Sequence, residues 1–214
     1  AERLNKGIPL MVLVGQMDSP FVRRVAVTMN VYGMPFEREI ISVFADADAV
    51  RKINPLGKVP ALVLEDGETL FDSQMIIDYL DEQAGPERAL TPADGKARRA
   101  CLASVAVSLG VAEKVVGLNF ETKQRPSETI DECVFTRLQG QVTSALTWLE
   151  ARQPEPWLCG QAMTQADITA VTALTHLINR RPELFPDGTF PALTGLRNRA
   201  EELPPFQASP FMEE

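Results

Sequence analysis

Residues 54–73 read NPLGKVPALVLEDGETLFDS, and this stretch sets the architecture of the first part of the chain. Two apolar runs, ALVL and TLF, stand on either side of Asp66-Gly67, an order that is a strong short-range signal for a β-hairpin. Asp72-Ser73 then favour the start of a helix, because short polar side chains accept hydrogen bonds from the first free N–H groups of a helix. The stretch therefore predicts two antiparallel strands followed directly by a helix.

The residues before this stretch predict a β-α-β unit. Residues 9–14, PLMVLV, form a short apolar run bounded by proline and glycine, which is typical of a buried strand. Ser19 followed by Pro20 favours the start of a helix, and Gly33 favours its end. Residues 35–41 alternate imperfectly between apolar and polar side chains and predict a strand near the edge of a sheet.

Two further helices complete the first part of the chain. Residues 47–53 predict a short helix before the hairpin. The helix after the hairpin should run to about Ala84, where Gly85-Pro86 ends it. The predicted order is therefore β-α-β-α-β-β-α, an α/β domain over residues 1–84.

From Thr91 onward the apolar periodicity is that of helices, and no stretch has a convincing strand pattern. This change predicts a second, all-helical domain over residues 92–214. Thr164 and Asp167 have the spacing of a capping box that starts a buried helix, with Asp in place of the usual Glu or Gln. The predicted helices are residues 92–119, residues 127–152, one that begins near 164, and residues 189–203, after which the proline-rich closing segment should not continue the helix.

Charge and composition exclude several classes of function. The 214 residues carry 21 Lys and Arg against 29 Asp and Glu, a net charge of −8, so no overall basic surface is available to nucleic acid. The longest uncharged helical stretch, residues 100–112, is far shorter than the ~20 residues that a membrane span needs. We therefore expect neither nucleic acid nor a membrane as a partner.

The cysteine and histidine counts favour a reducing compartment and give no metal site. Three widely spaced cysteines, no C-x-x-C pair and a single histidine, His176, do not form a metal-ligand pattern. Arg3 and Lys6 precede the apolar run at residues 8–14, as in a signal peptide, but Pro9 interrupts that run and no small-residue cleavage site follows. We expect a cytoplasmic protein.

The cysteines and the histidine are expected to be structural. Cys101, Cys133 and His176 fall within predicted helices and should be buried, with hydrogen bonds satisfying the histidine. Cys159, in the WLCG turn, should be more exposed. None of them has the surroundings of a nucleophile or a metal ligand.

Four segments, in this order, resemble the glutathione S-transferases, and in particular bacterial members that have serine at the first helix start. The segments are SPFVRRV, the NPLGKVP stretch, Asp72-Ser73, and PWLCGQAMTQADITAV in the helical half, so the resemblance spans the whole chain. It implies a thioredoxin-like domain that binds glutathione and an all-α domain that carries the electrophile pocket. It also implies glutathione as co-substrate, a small electrophile as substrate, and a homodimer.

The resemblance places Ser19 at the glutathione thiol. A helix N-terminus stabilises negative charge, and a hydroxyl donor there can lower a thiol pKa from its ordinary ~8.5 towards neutrality. From the residues alone, a plain N-cap without a ligand is the alternative. Within the family, a backbone donor or the neighbouring Asp18 could replace the hydroxyl. Phe21 would wall the thiol pocket or lie in the core.

The resemblance places the rest of the glutathione site between Lys58 and Ser73. In the family, the proline of the V-P pair follows a cis peptide bond, and the backbone of the preceding residue pairs with the cysteinyl part of glutathione; here these are Val59 and Pro60. Lys58 would pair with the glycine carboxylate, or else is a solvated loop lysine. Asp72 and Ser73 would hold the ammonium group and α-carboxylate of the γ-glutamyl end, or else only cap the helix.

The resemblance thus predicts a detoxifying glutathione transferase that ionises the glutathione thiol and directs it at a small, apolar electrophile. The electrophile should lie against residues 101–112, CLASVAVSLGVA, whose small side chains leave room for it. The alternative is a non-enzymatic protein-binding module on the same fold, like transcription-associated relatives that have lost glutathione. Retained Lys58, Asp72 and Ser73 favour the enzyme.

Overall fold

Four strands form one mixed sheet in the first part of the chain. The structure is a computed structural model and describes residues 10–43, 45–123 and 131–213, together with Pro126 and Thr129. The strands are β1 (Met11–Val14), β2 (Phe36–Glu39), β3 (Ala61–Val63) and β4 (Thr69–Leu70). β1 pairs in parallel with β2 and antiparallel with β3, and β3 pairs antiparallel with β4, so the order across the sheet is β2-β1-β3-β4.

Three helices accompany this sheet and confirm the predicted order β-α-β-α-β-β-α. They are α1 (Pro20–Tyr32), α2 (Ala47–Ile53) and α3 (Ser73–Ala84). Leu13 and Leu62 pack into the main core with α1 and α3, whereas their neighbours Val14 and Ala61 pack with Val50 of α2. Because successive strand residues face opposite sides of a sheet, both faces are covered, which explains the unbroken apolar run of β1.

The hairpin and the edge strand lie where the sequence predicts them. Asp66-Gly67 forms the turn between β3 and β4, and there the Leu64 N–H donates to the Glu68 carbonyl oxygen over 2.8 Å. Gly67 has φ +92, a conformation that suits glycine. β2, predicted at residues 35–41 as a strand near an edge, is an edge strand.

Among the described residues after α3, the regular elements are helices, apart from an isolated bridge between Trp157 and Gly160. The helices are α4 (Gly95–Lys123), α5 (Glu132–Glu150), α6 (Gln165–Arg180), a 3-10 turn (Pro182–Leu184), α7 (Pro191–Glu201) and α8 (Pro204–Gln207). α4 packs against α5 and α6, and α1 packs against α6, so both parts of the chain contribute to one main core. The predicted fold class is confirmed, while the division at residues 84 and 92 stays a prediction.

The last helices follow the expected pattern with one addition. α7 ends at Glu201, slightly before the predicted end at residue 203. Pro204 and Pro205 do not continue it but occupy the first positions of the separate α8. The N–H groups at these positions have no partner within a helix, so proline, which has no N–H, loses no hydrogen bond there. The closing segment, residues 204–213, therefore folds back onto the molecule as a distinct element.

The first turn of α5 corrects the prediction for Cys133. Asp131 caps this helix and accepts from the N–H groups of Cys133 and Val134 over 2.9 and 3.1 Å. Cys133 is exposed, not buried, because the stripe of α5 that meets the core begins only further along the helix. The predicted start of α5 at residues 127, 128 and 130 lies outside the described residues, as do residues 1–9.

α6 is buried along most of its length and starts with the predicted capping residues. The N–H and the Oγ1 of Thr164 donate to Asp167 Oδ2 over 2.8 and 3.0 Å. Asp167 Oδ1 accepts from the Leu158 N–H over 2.7 Å, so one carboxylate ties the WLCG turn to the helix start. Burial raises the pKa of Asp167, although these hydrogen bonds act in the opposite direction.

α4 is long and apolar enough to cross a membrane by length and composition alone. In this fold it packs against α5 and α6 instead. Its side chains at Cys101, Val105, Val111, Val115 and Leu118 are buried there. The apolar character of α4 is therefore explained by its place in the core.

Candidate active site

Ser19 lies at the N-terminus of α1, in the turn that follows β1. Its N–H donates to the Gln16 carbonyl oxygen over 3.2 Å, and its half-buried hydroxyl oxygen accepts from the Val22 N–H over 3.4 Å. Because the hydroxyl acts as an acceptor in that bond, its own hydrogen is available to a further partner. The neighbouring Phe21 is half-buried and packs against the main core. The N-terminus of α1 thus presents an O–H donor beside the positive end of the helix dipole.

Gly15 lets the Val59-Pro60 segment approach this turn. A Cβ at Gly15 would lie 2.5 Å from Val22 Cγ2 and 3.0 Å from Val59 Cβ, so a larger residue would force the two segments apart. Gly15 also has φ +130, which glycine adopts readily. The Val59-Pro60 bond is cis, as the resemblance implied. The structure therefore brings Val59 next to the N-terminal turn of α1.

The loop before Val59 is held by the buried Asn54. Its Nδ2 donates to the Lys58 carbonyl oxygen over 2.9 Å, and its Oδ1 accepts from the Leu56 N–H over 3.0 Å. The Lys58 side chain is exposed. This position is compatible with both alternatives, an ion pair to a bound carboxylate and a solvated loop lysine.

Asp72 and Ser73 start α3, and their side chains have different partners. The exposed Asp72 carboxylate accepts from the Gln74 N–H over 2.9 Å, which makes it the N-cap of the helix. Ser73 is 3% exposed, and its Oγ accepts from Arg24 Nη1 over 3.1 Å. Because Oγ is an acceptor in that bond, the Ser73 hydroxyl hydrogen is available to another acceptor.

Arg24 of α1 is a cation buried behind Ser73. It is 1% exposed, and within the described ranges its Nε and Nη2 have no hydrogen-bond partner. Burial lowers the pKa of Arg24 to about 10, while the nearby Asp72 and Asp81 act to raise it. Arg24 therefore keeps its charge at neutral pH. The N-terminus of α3 combines a helix dipole, a hydroxyl and the charge of a buried guanidinium, which together favour an anion.

Asp18, the residue before Ser19, is held by α6. Its carbonyl oxygen lies 2.9 Å from His176 Nδ1, and its Oδ2 accepts from Arg180 Nη2 over 2.7 Å. A carbonyl oxygen only accepts, so Nδ1 carries the proton and Nε2 of the neutral ring is an acceptor. His176 is buried as predicted, but the prediction that hydrogen bonds satisfy it is only half right. In the part of the chain that the structure describes, Nε2 has no partner.

We expect His176 to make the protein less stable as the pH falls. Burial lowers the pKa of His176, and the bond to Asp18 opposes this shift only in part. The unfolded chain therefore binds a proton near the ordinary histidine pKa of ~6.5 while the folded chain does not. Below that pH the free energy of unfolding should fall by at most about 1.4 kcal/mol per pH unit.

Denaturant unfolding of the wild type and of His176→Asn at pH ~7.5 and ~5.5 measures this effect. Asparagine is the matched replacement because its amide can donate to the Asp18 carbonyl oxygen and does not titrate. We expect the wild type to lose more stability than the variant between the two pH values. Equal losses in both proteins would contradict a buried, neutral His176.

The stretch predicted to face the electrophile, residues 101–112, is partly open. Half of its side chains are buried, whereas Ala103 and Ala106 are exposed. A depression of about 440 Å³ lies elsewhere, between α6, α7 and the closing segment, and none of the predicted site residues lines it. The depression therefore does not coincide with the predicted position of the electrophile.

Comparison with known proteins establishes the family. Residues 13–88 match the family model of the glutathione S-transferase N-terminal domain, and residues 111–204 match that of the glutathione S-transferase C-terminal domain. The chain belongs to the glutathione S-transferase family.

Solved glutathione S-transferases share this fold over nearly the whole chain. One from Methylobacterium radiotolerans, in complex with glutathione sulfonate, is 28% identical with a TM-score of 0.89, covering 95% of this chain and 96% of its own. A family member from Pseudomonas fluorescens with bound glutathione is 30% identical with a TM-score of 0.84, covering 93% and 98%. The GST-like protein YibF of Escherichia coli K12 is 29% identical over 171 residues, which are 80% of this chain and 84% of its own.

Sequence reasoning about this glutathione S-transferase missed its buried cations. Arg23 and Arg24 are both 1% exposed, although arginine is rarely buried without a partner. The available signal was an adjacent pair of arginines inside the otherwise apolar first helix, directly after Ser19-Pro20. The contact between Asp18 and Arg180 had no comparable signal, because the two residues are 162 positions apart.

Proposed function

We propose that the protein is a glutathione transferase that activates the glutathione thiol for attack on a small, apolar electrophile. The observation that carries this proposal is the buried Arg24–Ser73 pair at the N-terminus of α3. A buried positive charge joined to a serine hydroxyl at a helix N-terminus suits a carboxylate. The relatives from M. radiotolerans and P. fluorescens hold glutathione sulfonate and glutathione, and such ligands present a carboxylate at their γ-glutamyl end.

In this proposal glutathione lies along the N-termini of α3 and α1. Ser73 donates its hydroxyl hydrogen to the α-carboxylate, and the Asp72 carboxylate accepts from the ammonium group. The Val59 backbone, ahead of the cis Pro60, pairs with the cysteinyl part. Lys58, which is exposed, pairs with the glycine carboxylate.

The thiol then reaches Ser19. The hydroxyl hydrogen of Ser19 and the α1 N-terminus stabilise the thiolate, so that a larger fraction of the bound thiol is ionised at neutral pH. Phe21 contributes an apolar wall. Catalysis rests on this thiolate stabilisation and on the proximity of the two reactants. The electrophile lies against the small side chains of residues 101–112 in α4.

The alternative use of the fold, as a non-enzymatic protein-binding module, has less support. A scaffold needs no hydroxyl at the start of α3 and no buried cation behind it, yet Ser73 and Arg24 form that arrangement. Burying a guanidinium away from water is costly, and the negative charge of a carboxylate bound nearby would offset part of this cost. The arrangement therefore favours an enzyme that uses glutathione.

We further propose a cytoplasmic homodimer that serves detoxification. Three large apolar side chains of the first domain are exposed: Ile40, after β2, at 55%, Leu56, before β3, at 68%, and Met75, on α3, at 51%. A second copy of the chain that covers these side chains would remove them from water. An elution volume of a monomer in size-exclusion chromatography would contradict the dimer.

Glutathione binding by Ser73→Ala tests the proposed site. We expect the dissociation constant, measured by calorimetric titration, to rise about 10- to 100-fold, because the variant loses a hydrogen bond to a charged group. The matched control is Ser144→Ala on the exposed side of α5, which should bind like the wild type. In the bound state, Ser19→Ala should raise the pKa of the glutathione thiol.

A wild type that shows neither heat nor a thermal shift with glutathione would overturn the enzyme and favour the protein-binding module. If Ser73→Ala binds glutathione as tightly as the wild type, glutathione is still a ligand, but it does not bind at the N-terminus of α3. An unchanged thiol pKa in Ser19→Ala would assign thiolate stabilisation to a backbone donor instead.

A further inference from the structure

Three charged side chains meet directly beside the Ser19 turn, and none of them has a part in the proposed function. Arg180 of α6 donates to Asp18 Oδ2 from Nη2 over 2.7 Å and to Glu213 Oε1 from Nη1 over 2.6 Å. The side chains of Arg180 and Asp18 are 16% and 27% exposed, and that of Glu213 is 68% exposed. One cation thus faces two carboxylates, so the cluster has a formal net charge of −1.

This cluster is fixed relative to Ser19. The Asp18 carbonyl oxygen is bound by His176, and the Ser19 N–H is bound by the Gln16 carbonyl oxygen, so the Asp18–Ser19 turn is anchored on both sides. His176 stays neutral, because burial lowers its pKa. The groups that face the turn from α6 and from the closing segment are then His176, Arg180 and Glu213. Of these, only Arg180 supplies positive charge.

We propose that Arg180 is a positioning residue which, by neutralising Asp18, allows the thiol of bound glutathione to ionise at the α1 N-terminus. This inference rests on the proposed function, because it concerns a thiol held beside Ser19. A free Asp18 carboxylate one residue from Ser19 would repel a thiolate formed there and would oppose the helix dipole. The ion pair removes most of that repulsion and also keeps the Asp18 carboxylate from acting as a proton acceptor.

The charges of the cluster give variants with opposite expected effects. Arg180→Met leaves Asp18 and Glu213 both negative and should raise the pKa of the bound thiol by about 0.5–1 unit, the size expected for a unit charge some ~8–10 Å away in a partly solvated site. Asp18→Asn leaves Arg180 paired with Glu213 alone and should lower the pKa by a similar amount. Arg180→Lys keeps the charge and should stay near the wild type.

The experiment is a pH titration of the ultraviolet absorbance of the glutathione thiolate bound to each full-length variant at saturating glutathione. Asp48→Asn is the matched control, since it removes the carboxylate of an exposed aspartate–arginine pair on α2. Far-ultraviolet circular dichroism checks that each variant is folded. A disturbance of structure alone would move Arg180→Met and Asp18→Asn in the same direction, whereas the charge effect moves them in opposite directions.

Opposite shifts for Arg180→Met and Asp18→Asn, with Arg180→Lys and Asp48→Asn unchanged, would support the proposal. Absent shifts, or shifts in the same direction, would overturn it while leaving glutathione binding intact. A wild type that binds no glutathione would overturn the proposed function and this inference together. The two failures are therefore distinguishable by the wild-type binding measurement.

Discussion

Replacing Arg23 with Met is expected to lower the free energy of unfolding by about 3 kcal/mol. Arg23 is 1% exposed in α1; Nη1 and Nη2 donate to the two oxygens of Glu201 over 2.8 and 2.6 Å, and Nε donates to the Ser209 carbonyl oxygen over 2.8 Å. Methionine fills much of the same space but donates no hydrogen bond. The Glu201 carboxylate would keep the Thr175 hydroxyl as a donor but would lose both guanidinium donors, and the Ser209 carbonyl oxygen would lose Nε. Equilibrium unfolding in denaturant would measure the loss.

Two control variants test whether the loss of stability comes from the burial and geometry of the Arg23–Glu201 ion pair rather than from the loss of an arginine charge alone. Arg51→Met breaks an ion pair with Asp48 whose side chains are 59% and 91% exposed, and it should change stability by less than about 0.5 kcal/mol. Arg23→Lys keeps the charge but cannot form the two parallel hydrogen bonds to the Glu201 carboxylate. Its free energy of unfolding should lie between those of the wild type and Arg23→Met. Equally small effects at Arg23 and Arg51 would contradict the importance of the buried pair.

The effect of Arg23→Met should shrink in acid. Burial acts to raise the pKa of Glu201, but the hydrogen bonds and charge of Arg23 outweigh it, so the pKa is lowered. A carboxylate with a lowered pKa stabilises the folded state above its unfolded pKa, and this contribution is lost as the pH falls through the folded value. The difference between the two proteins should therefore be largest near neutral pH.

Asp167→Ala is expected to lower the free energy of unfolding by about 4 kcal/mol, since a fully buried carboxylate with three hydrogen bonds is lost. The N–H groups of Leu158 and Thr164 would lose their acceptors, and a cavity would remain at the start of α6. Both the core helix and the WLCG turn depend on this one side chain. Thermal and denaturant unfolding would measure the loss.

Asp131→Ala is the matched control for Asp167, because Asp131 also caps a helix but does so at an exposed site. It should cost about 1 kcal/mol. Asp167→Asn keeps the shape and one acceptor oxygen and should cost less than the alanine variant. A loss at Asp167 no greater than that at Asp131 would contradict the role of burial.

Local sequence signals predicted those elements that depend on neighbouring residues. The turn at Asp66-Gly67, the start of α1 at Ser19 and the capping box at Thr164 each arise from side chains within a few positions of one another. The structure has all three. The cis bond before Pro60 came instead from the family resemblance, because an isolated X-Pro bond favours trans.

The parts that the sequence did not predict depend on residues far apart in the chain. Helical periodicity placed Cys133 in a helix but could not show that the first turn of α5 projects beyond the core. Arg24 reaches Ser73 across 49 positions, and no local pattern indicates which polar groups a fold will bury together. The sequence therefore predicted the part of the candidate site at the N-termini of α1 and α3. The positions of Arg24 and Arg180 next to these helix starts required the three-dimensional structure.

α7 and the closing segment give α1 partners that are synthesised long after it. Arg23 and Asn30 bind Glu201, Pro205 and Ser209 across 175 to 186 positions of sequence. During translation, α1 therefore emerges from the ribosome long before the acceptors of Arg23 and Asn30 exist. The Arg23 and Asn30 side chains must stay hydrated until then, so α1 completes its native contacts only after α7 and the closing segment have been synthesised, even if the sheet forms earlier.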